Sequence, residues 1–155
     1  MTFEKPGRQN TQQTIDLALQ TAREEGIRDF VIATVEGNSP LLLHDTEGLN
    51  IIVVTHSFGY HGTTGNALDP DNRAEMERRG YTLYTAAHAL SGAERALSAK
   101  FSGIYPVEIV ANTLRMFGQG TKVCIEVAVM ACDAGFILPG TRIIAVGGTG
   151  RGEDT

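Results

Sequence analysis

Phe30-Val31-Ile32-Ala33-Thr34-Val35-Glu36-Gly37-Asn38-Ser39 begins as a nearly continuous β-rich apolar run and then breaks into polar chain around a glycine. A strand that is apolar on both sides must be covered on both faces, which is the mark of a parallel sheet set between helices. Ile51-Ile52-Val53-Val54 repeats the pattern, and Tyr81-Thr82-Leu83-Tyr84 and Ile143-Ile144-Ala145-Val146 supply a third and a fourth strand. The fold class that follows is α/β, with parallel strands covered on both faces.

Helical segments separate these strands. Asn10 stands as an N-cap, with Gln13 placed to reach back to it, ahead of Ile15, Ala18, Leu19 and Ala22 at helical spacing and Gly26 as the stop. Ser39 to Glu47 has room for a crossover helix that ends near Gly48. Asp69-Pro70 to Arg79, closed by Gly80, has proline at its first helical position and glycine after its last. Ser91-Gly92-Ala93-Glu94 has capping-box spacing and opens a helix toward Lys100. Pro106 starts another, whose Val107, Val110, Ala111, Leu114 and Phe117 form one apolar stripe ending at Gly118. Gln119 to Gly135 is β-branched enough for a strand. Its length, the Lys122/Glu126 pair four apart and the terminating Gly135 nevertheless predict a buried helix.

With 155 residues the chain is long enough for one domain with a real core. Its formal charge of -5, with no basic cluster longer than Arg78-Arg79, argues against a nucleic-acid surface. No apolar stretch approaches the roughly 20 residues of a membrane span. The segment Met1-Thr2-Phe3-Glu4-Lys5-Pro6-Gly7 lacks the regions of a signal peptide, so a cytoplasmic location is expected. Cys124 and Cys132 are too far apart along the chain to bridge, whether as helix or as strand, and read as inert core thiols. Met116, Phe117 and Met130 are expected in the core.

Parallel strands joined by crossovers place all four strand exits on one edge of the sheet, where open α/β sheets bind ligands. The first exit brings Thr34, Gly37, Asn38 and Ser39; the second brings Thr55 and His56, in a long polar loop that runs to Asp69. The third brings His88 and Ser91. The fourth, Gly147-Gly148-Thr149-Gly150-Arg151-Gly152, has four glycines, a threonine and an arginine. Glycines let backbone N–H groups converge on an oxyanion, and arginine adds a planar charged fork. A tight turn is the competing reading of that loop taken alone. Together the exits predict a site for a small phosphorylated ligand between the Thr34 to Ser39 loop and the Gly147 to Gly152 loop.

His56, His61 and His88 have no spacing that marks a metal site, and a metal-dependent hydrolase is the third reading after a ligand-binding protein and a regulatory module. Adjacent His56 and Ser57 point to opposite sides of an extended chain and lack a nucleophile elbow. Lys122 and Glu126 read as a structural ion pair before an acid/base pair, and Arg95 and Arg115 as cations for the ligand, a partner copy or the open surface. No catalytic residue is assigned.

The runs His88-Ala89-Leu90-Ser91-Gly92-Ala93-Glu94-Arg95, Tyr105-Pro106-Val107-Glu108-Ile109, Leu114-Arg115-Met116-Phe117-Gly118-Gln119-Gly120, Met130-Ala131-Cys132-Asp133-Ala134-Gly135 and Gly147-Gly148-Thr149-Gly150-Arg151-Gly152 together have a wider resemblance. From about Asn10 onward the chain resembles an uncharacterised archaeal and bacterial family described as pyruvate kinase α/β (C-terminal) domain-like. The resemblance implies a three-layer α/β/α fold with a mostly parallel sheet, in a stand-alone protein without the barrel that performs kinase chemistry, so no pyruvate kinase activity is expected. Thr34, Gly37 and Ser39 match the loop that helps hold a phosphate of a sugar-bisphosphate effector in the kinase domain, while Glu36 and Asn38 depart from it. The resemblance further implies flavin mononucleotide (FMN), or otherwise a phosphorylated metabolite, as ligand, and a homo-oligomer. Family members continue past the glycine loop with another strand, so a final edge strand is expected to be absent here.

Overall fold

A computed structural model of the chain describes residues 3–59, 64–149 and 152–155. Four strands, β1 (Asp29–Thr34), β2 (Asn50–Thr55), β3 (Thr82–Thr85) and β4 (Ile143–Val146), form an all-parallel sheet in the order β3-β2-β1-β4. Six helices accompany them: α1 (Thr11–Glu24), α2 (Asn38–Leu41), α3 (Pro70–Arg78), α4 (Gly92–Phe101), α5 (Pro106–Arg115) and α6 (Gln119–Asp133). Every predicted strand is present within a residue or so of its expected limits, and the β-branched Gln119–Asp133 segment is a helix.

The two-sided apolarity of β1 and β2 follows from the pleat. Phe30, Ile32, Ile51 and Val53 point to one face, where Ile15, Leu19 and Ala22 of α1 and Met76 of α3 cover them. Val31, Ile52 and Val54 point to the other, against Val127, Met130 and Ala131 of α6. Each fully buried large apolar side chain stabilises the fold by about 1.5–3 kcal/mol, so two populated faces make three layers rather than two.

The helix stops fall where the glycines predicted them. After α1, α3 and α6 the same double hydrogen bond closes the end: Ile27 N–H to Ala22 C=O at 2.8 Å, Tyr81 to Met76 at 3.0 Å and Phe136 to Ala131 at 3.0 Å. Gly26, Gly80 and Gly135 carry the left-handed conformation between. Asp69 caps α3 by accepting from the N–H groups of Asp71 (2.9 Å) and Asn72 (3.1 Å).

Four local expectations are corrected. Asn10 occupies the N-cap position of α1, but a short 3-10 turn (Arg8–Asn10) precedes it and its side-chain Nδ2 donates to Lys5 C=O instead. The crossover expected over Ser39 to Glu47 shrinks to the single turn α2, because the chain turns back at Leu43 and Asp45 takes a left-handed φ of 49° that a helix cannot propagate through. Ser91 makes no side-chain cap, and Glu94 reaches forward to accept from Val107 N–H at 2.6 Å, tying α4 to the first turn of α5. Phe117 and Met116 are exposed, because α5 ends at Arg115 and only Ala111 of the expected stripe is fully buried. Met130 is in the core as expected, and Cys124 and Cys132 are free, half-buried thiols. No helix among the described residues is long and apolar enough to cross a membrane.

Candidate functional site

From β1 the chain goes to β2 and β3 on one side of the sheet, whereas β4 lies on the other side of β1. The connections leaving β1 and β4 therefore diverge, and a crevice opens between them at the carboxyl edge of the sheet. A cleft of ≈ 1010 Å³ occupies that edge. It is lined by Thr34, Thr55, His56 and His88, by the first turn of α1 and by α6 from Gln119 to Met130, and the β4 exit contributes Gly148 and Thr149. Thr34, Asn38, Ser39, Thr55, His56, His88, Ser91, Gly148 and Thr149 thus meet around one space, as the strand-exit argument required.

Several of these residues have local work that limits what they offer a ligand. Thr34 Oγ accepts the N–H of Gly37 at 3.0 Å, which fixes the turn out of β1. Gly37 does not line the cleft. It has φ 94°, and a Cβ there would lie 2.7 Å from Leu68 Cδ1 and 2.9 Å from Asn72 Cβ, so the residue is glycine for backbone shape and for the approach of α3. Asn38 Nδ2 donates to the Glu36 carboxylate at 3.1 Å, which engages that charge at the rim. The Thr55 hydroxyl lies 2.6 Å from that of Thr85 and joins the ends of β2 and β3.

The glycine loop also differs from a plain anion nest. Gly147 packs under α6, where a Cβ would meet Val123 Cγ1 at 2.8 Å, and lies off the cleft. Its N–H donates to Thr155 C=O (2.9 Å) and its C=O accepts from Asp154 and Thr155, so the 152–155 segment runs back beside it, with an antiparallel bridge between Gly148 and Glu153. Gly150 and Arg151 lie outside the described residues. Glu153 borders the cleft. Its backbone N–H donates to Thr11 Oγ1 at 3.0 Å, and burial pushes its carboxyl up to about 7, against the opposing effect of a hydrogen bond with Ser39.

A charged cluster also lines the cleft. Lys122 and Glu126 of α6 are both buried, with Lys122 Nζ 2.5 Å from Glu126 Oε2. Glu126 Oε1 accepts the N–H of Leu90 at 2.8 Å, and the Nδ1 of His88 stands 4.0 Å from Oε2. His88 packs on His56 with ring centroids 4.4 Å apart. Burial holds the His88 imidazole below its ordinary range, partly offset by Glu126. Among the described residues no group of three or more His, Cys, Asp or Glu is placed to hold a metal ion, and His61 lies outside them.

Sequence reasoning missed Arg8 and Gln12 from the first turns of the chain, and it read the Lys122/Glu126 pair as an ordinary structural one. The signal was available: Lys122, Glu126, Val127, Met130 and Ala131 form a single helical stripe, and that stripe is the buried face of α6. Arg8, Arg95 and Arg115 all border the cleft. Arg115 is held by Gln119 Oε1 (2.8 Å) and Asn112 Oδ1 (2.9 Å), whereas among the described residues the side chains of Arg8 and Arg95 have no hydrogen-bond or ion-pair partner.

The cleft gathers guanidinium groups, hydroxyls and two packed imidazoles, a set that can meet an anion and polar oxygens. An all-parallel sheet, a switch-point cleft and helices on both faces agree with the comparison of the sequence with known families, in which the model for "Pyruvate kinase, alpha/beta domain" matches residues 12–155. The chain belongs to the pyruvate kinase alpha/beta domain family.

Proposed function

We propose that the cleft binds a small phosphorylated ligand, with FMN the specific candidate. The observation that carries this reading is the pair of guanidinium groups, Arg8 and Arg95, that face the cleft without a partner among the described residues. Arginine left unpaired beside a row of hydroxyls fits a phosphate, which two or three charge-assisted hydrogen bonds hold strongly. The cleft is of the size that takes a mononucleotide. In this reading Thr149 donates to phosphate or ribose oxygens, Ser39, whose O–H goes to Glu153, accepts from the ligand, and the His56/His88 pair supports the ring. Bound FMN would bring redox chemistry of its own, and the protein's part would be anchoring and placement.

The test is titration with FMN followed by visible absorbance and calorimetry, alongside native mass spectrometry of the protein as isolated. Arg95→Ala is expected to weaken binding by about tenfold or more, the worth of a charge-assisted contact, and Ser39→Ala by a few-fold. If the isolated protein carries no phosphorylated molecule and neither FMN nor fructose 1,6-bisphosphate binds below millimolar concentration, the reading is wrong.

A second reading, a non-catalytic effector-responsive module that self-associates, is favoured by a different observation. Phe101 at the end of α4, Ile104 before α5, and Met116 and Phe117 after it are exposed, and large exposed apolar groups favour burial against another copy of the chain. Thermal stabilisation by a sugar bisphosphate but not by FMN, with a colourless isolated protein, would select it.

A further inference from the structure

The Lys122–Glu126 pair is not explained by stability. Two charges removed from water lose solvation that their mutual attraction does not reliably return, and apolar residues of similar volume serve a helix–sheet interface as well or better. The pair nevertheless sits on the core-facing stripe of α6 and lines the cleft. Its two members are also unequally satisfied. Glu126 uses both oxygens, one for Lys122 and one for Leu90 N–H. Lys122 has three N–H donors and gives one of them to Glu126; among the described residues the others have no acceptor, although its side chain is only 5% exposed. A buried ammonium with donors to spare at the wall of a cleft is built to receive an oxygen from whatever enters.

The charge balance decides which oxygen. With Glu126 in contact, the pair is net neutral, and a second anion at Lys122 would stand beside the carboxylate and be repelled by it. An uncharged carbonyl oxygen accepts the same N–H donors without that cost. The arginines, by contrast, have no such neutralising partner among the described residues for Arg8 and Arg95.

We propose that Lys122 is a ligand-binding residue whose spare donors take a neutral carbonyl group, so that the ligand carries a carbonyl as well as the phosphate held by the arginines. The inference rests on the phosphorylated-ligand reading above and narrows it to ligand bodies with a ring or chain carbonyl. Glu126 acts as a positioning residue: it aims Lys122, cancels its net charge, and through Leu90 N–H sets the loop that carries His88.

FMN, which has both a phosphate and ring carbonyls, is the probe. Affinity is measured by calorimetry and the carbonyl stretching bands of the bound ring by infrared difference spectroscopy. Lys122→Met is expected to weaken FMN by about tenfold to a hundredfold and to return one carbonyl band toward its free frequency. Since that variant leaves Glu126 buried without its partner, the double variant Lys122→Met/Glu126→Gln removes both charges and is expected to fold and to show the same two changes. Glu126→Gln alone keeps the bond to Leu90 N–H but leaves Lys122 with net charge, and is expected to raise affinity for 2-phosphoglycolate, a phosphate with a carboxylate, relative to dihydroxyacetone phosphate. If FMN binds to the wild type and neither its affinity nor its carbonyl bands change in the double variant, the carbonyl subsite is refuted while the phosphate site stands. If FMN does not bind at all, the carbonyl subsite is refuted, and the phosphate reading is then decided by fructose 1,6-bisphosphate and by what the isolated protein carries.

Discussion

Individual side chains in this cleft do jobs that their residue type alone does not reveal. Glu153 is the clearest case. Its carboxyl is pushed up to about 7 by burial, so the folded chain holds a proton that the unfolded chain has already released near 4.5. A folded value above the unfolded one gives stability that is fully present below about 4.5 and is lost as pH rises through about 7. Glu153→Gln removes that dependence. It is expected to flatten stability between those limits and to exceed the wild type at pH ~8 by on the order of 3 kcal/mol, read from urea denaturation at several pH values. Cys124 lies at the other extreme of reactivity. Burial, reinforced by Glu153 and Asp154, pushes its thiol up to about 12. Alkylation by iodoacetamide at pH ~8 is expected to be about a thousandfold slower than for an ordinary exposed cysteine, and rapid labelling would contradict the packing described around α6.

At the scale of elements, capping separates what a motif suggests from what it does. Asp69 caps α3 as its spacing before Pro70 implies, and Asp69→Ala is expected to cost about 1 kcal/mol in chemical denaturation. The Ser91 to Glu94 motif has the same local appearance, yet Glu94 is drawn away to Val107 N–H. Ser91→Ala should therefore change stability little, whereas Glu94→Ala leaves the start of α5 without an acceptor and should cost about 1–2 kcal/mol. Equal effects of the two substitutions would restore the capping box. Gly37 shows an element junction set by space: its left-handed φ and its approach to Leu68 and Asn72 make Gly37→Ala destabilising by about 2–4 kcal/mol on the same assay.

For the whole molecule, exposed apolar side chains recur along α4, α5 and the turns after them, Phe101, Ile104, Met116 and Phe117 among them. Phe117, 76% exposed, follows α5 directly and is a sensitive position for the self-association reading. Phe117→Glu is expected to lower the sedimentation coefficient toward that of a 16.6 kDa monomer with folding intact by circular dichroism. A monomeric wild type would remove that reading.

The strands, the helix stops and the edge of the sheet where the cleft opens were legible in the chain because each rests on a short-range rule. Two-sided apolar runs fix parallel strands, and glycine after a periodic segment fixes where a helix turns back. Sequence also placed Thr34, Asn38, Ser39, His56, His88 and Ser91 around one cleft, since parallel strands must all exit on one side. What it did not decide depended on which faces meet. The length of α2 was set by the backbone at Asp45, the jobs of Thr55 and Gly147 by the chain segments that reached them, and the burial of Lys122 and Glu126 by α6 turning that stripe toward the sheet. An ion pair four residues apart looks the same in sequence on either face of a helix. Only the packing of α6 on β1 and β2 made this one buried and set it at the wall of the cleft.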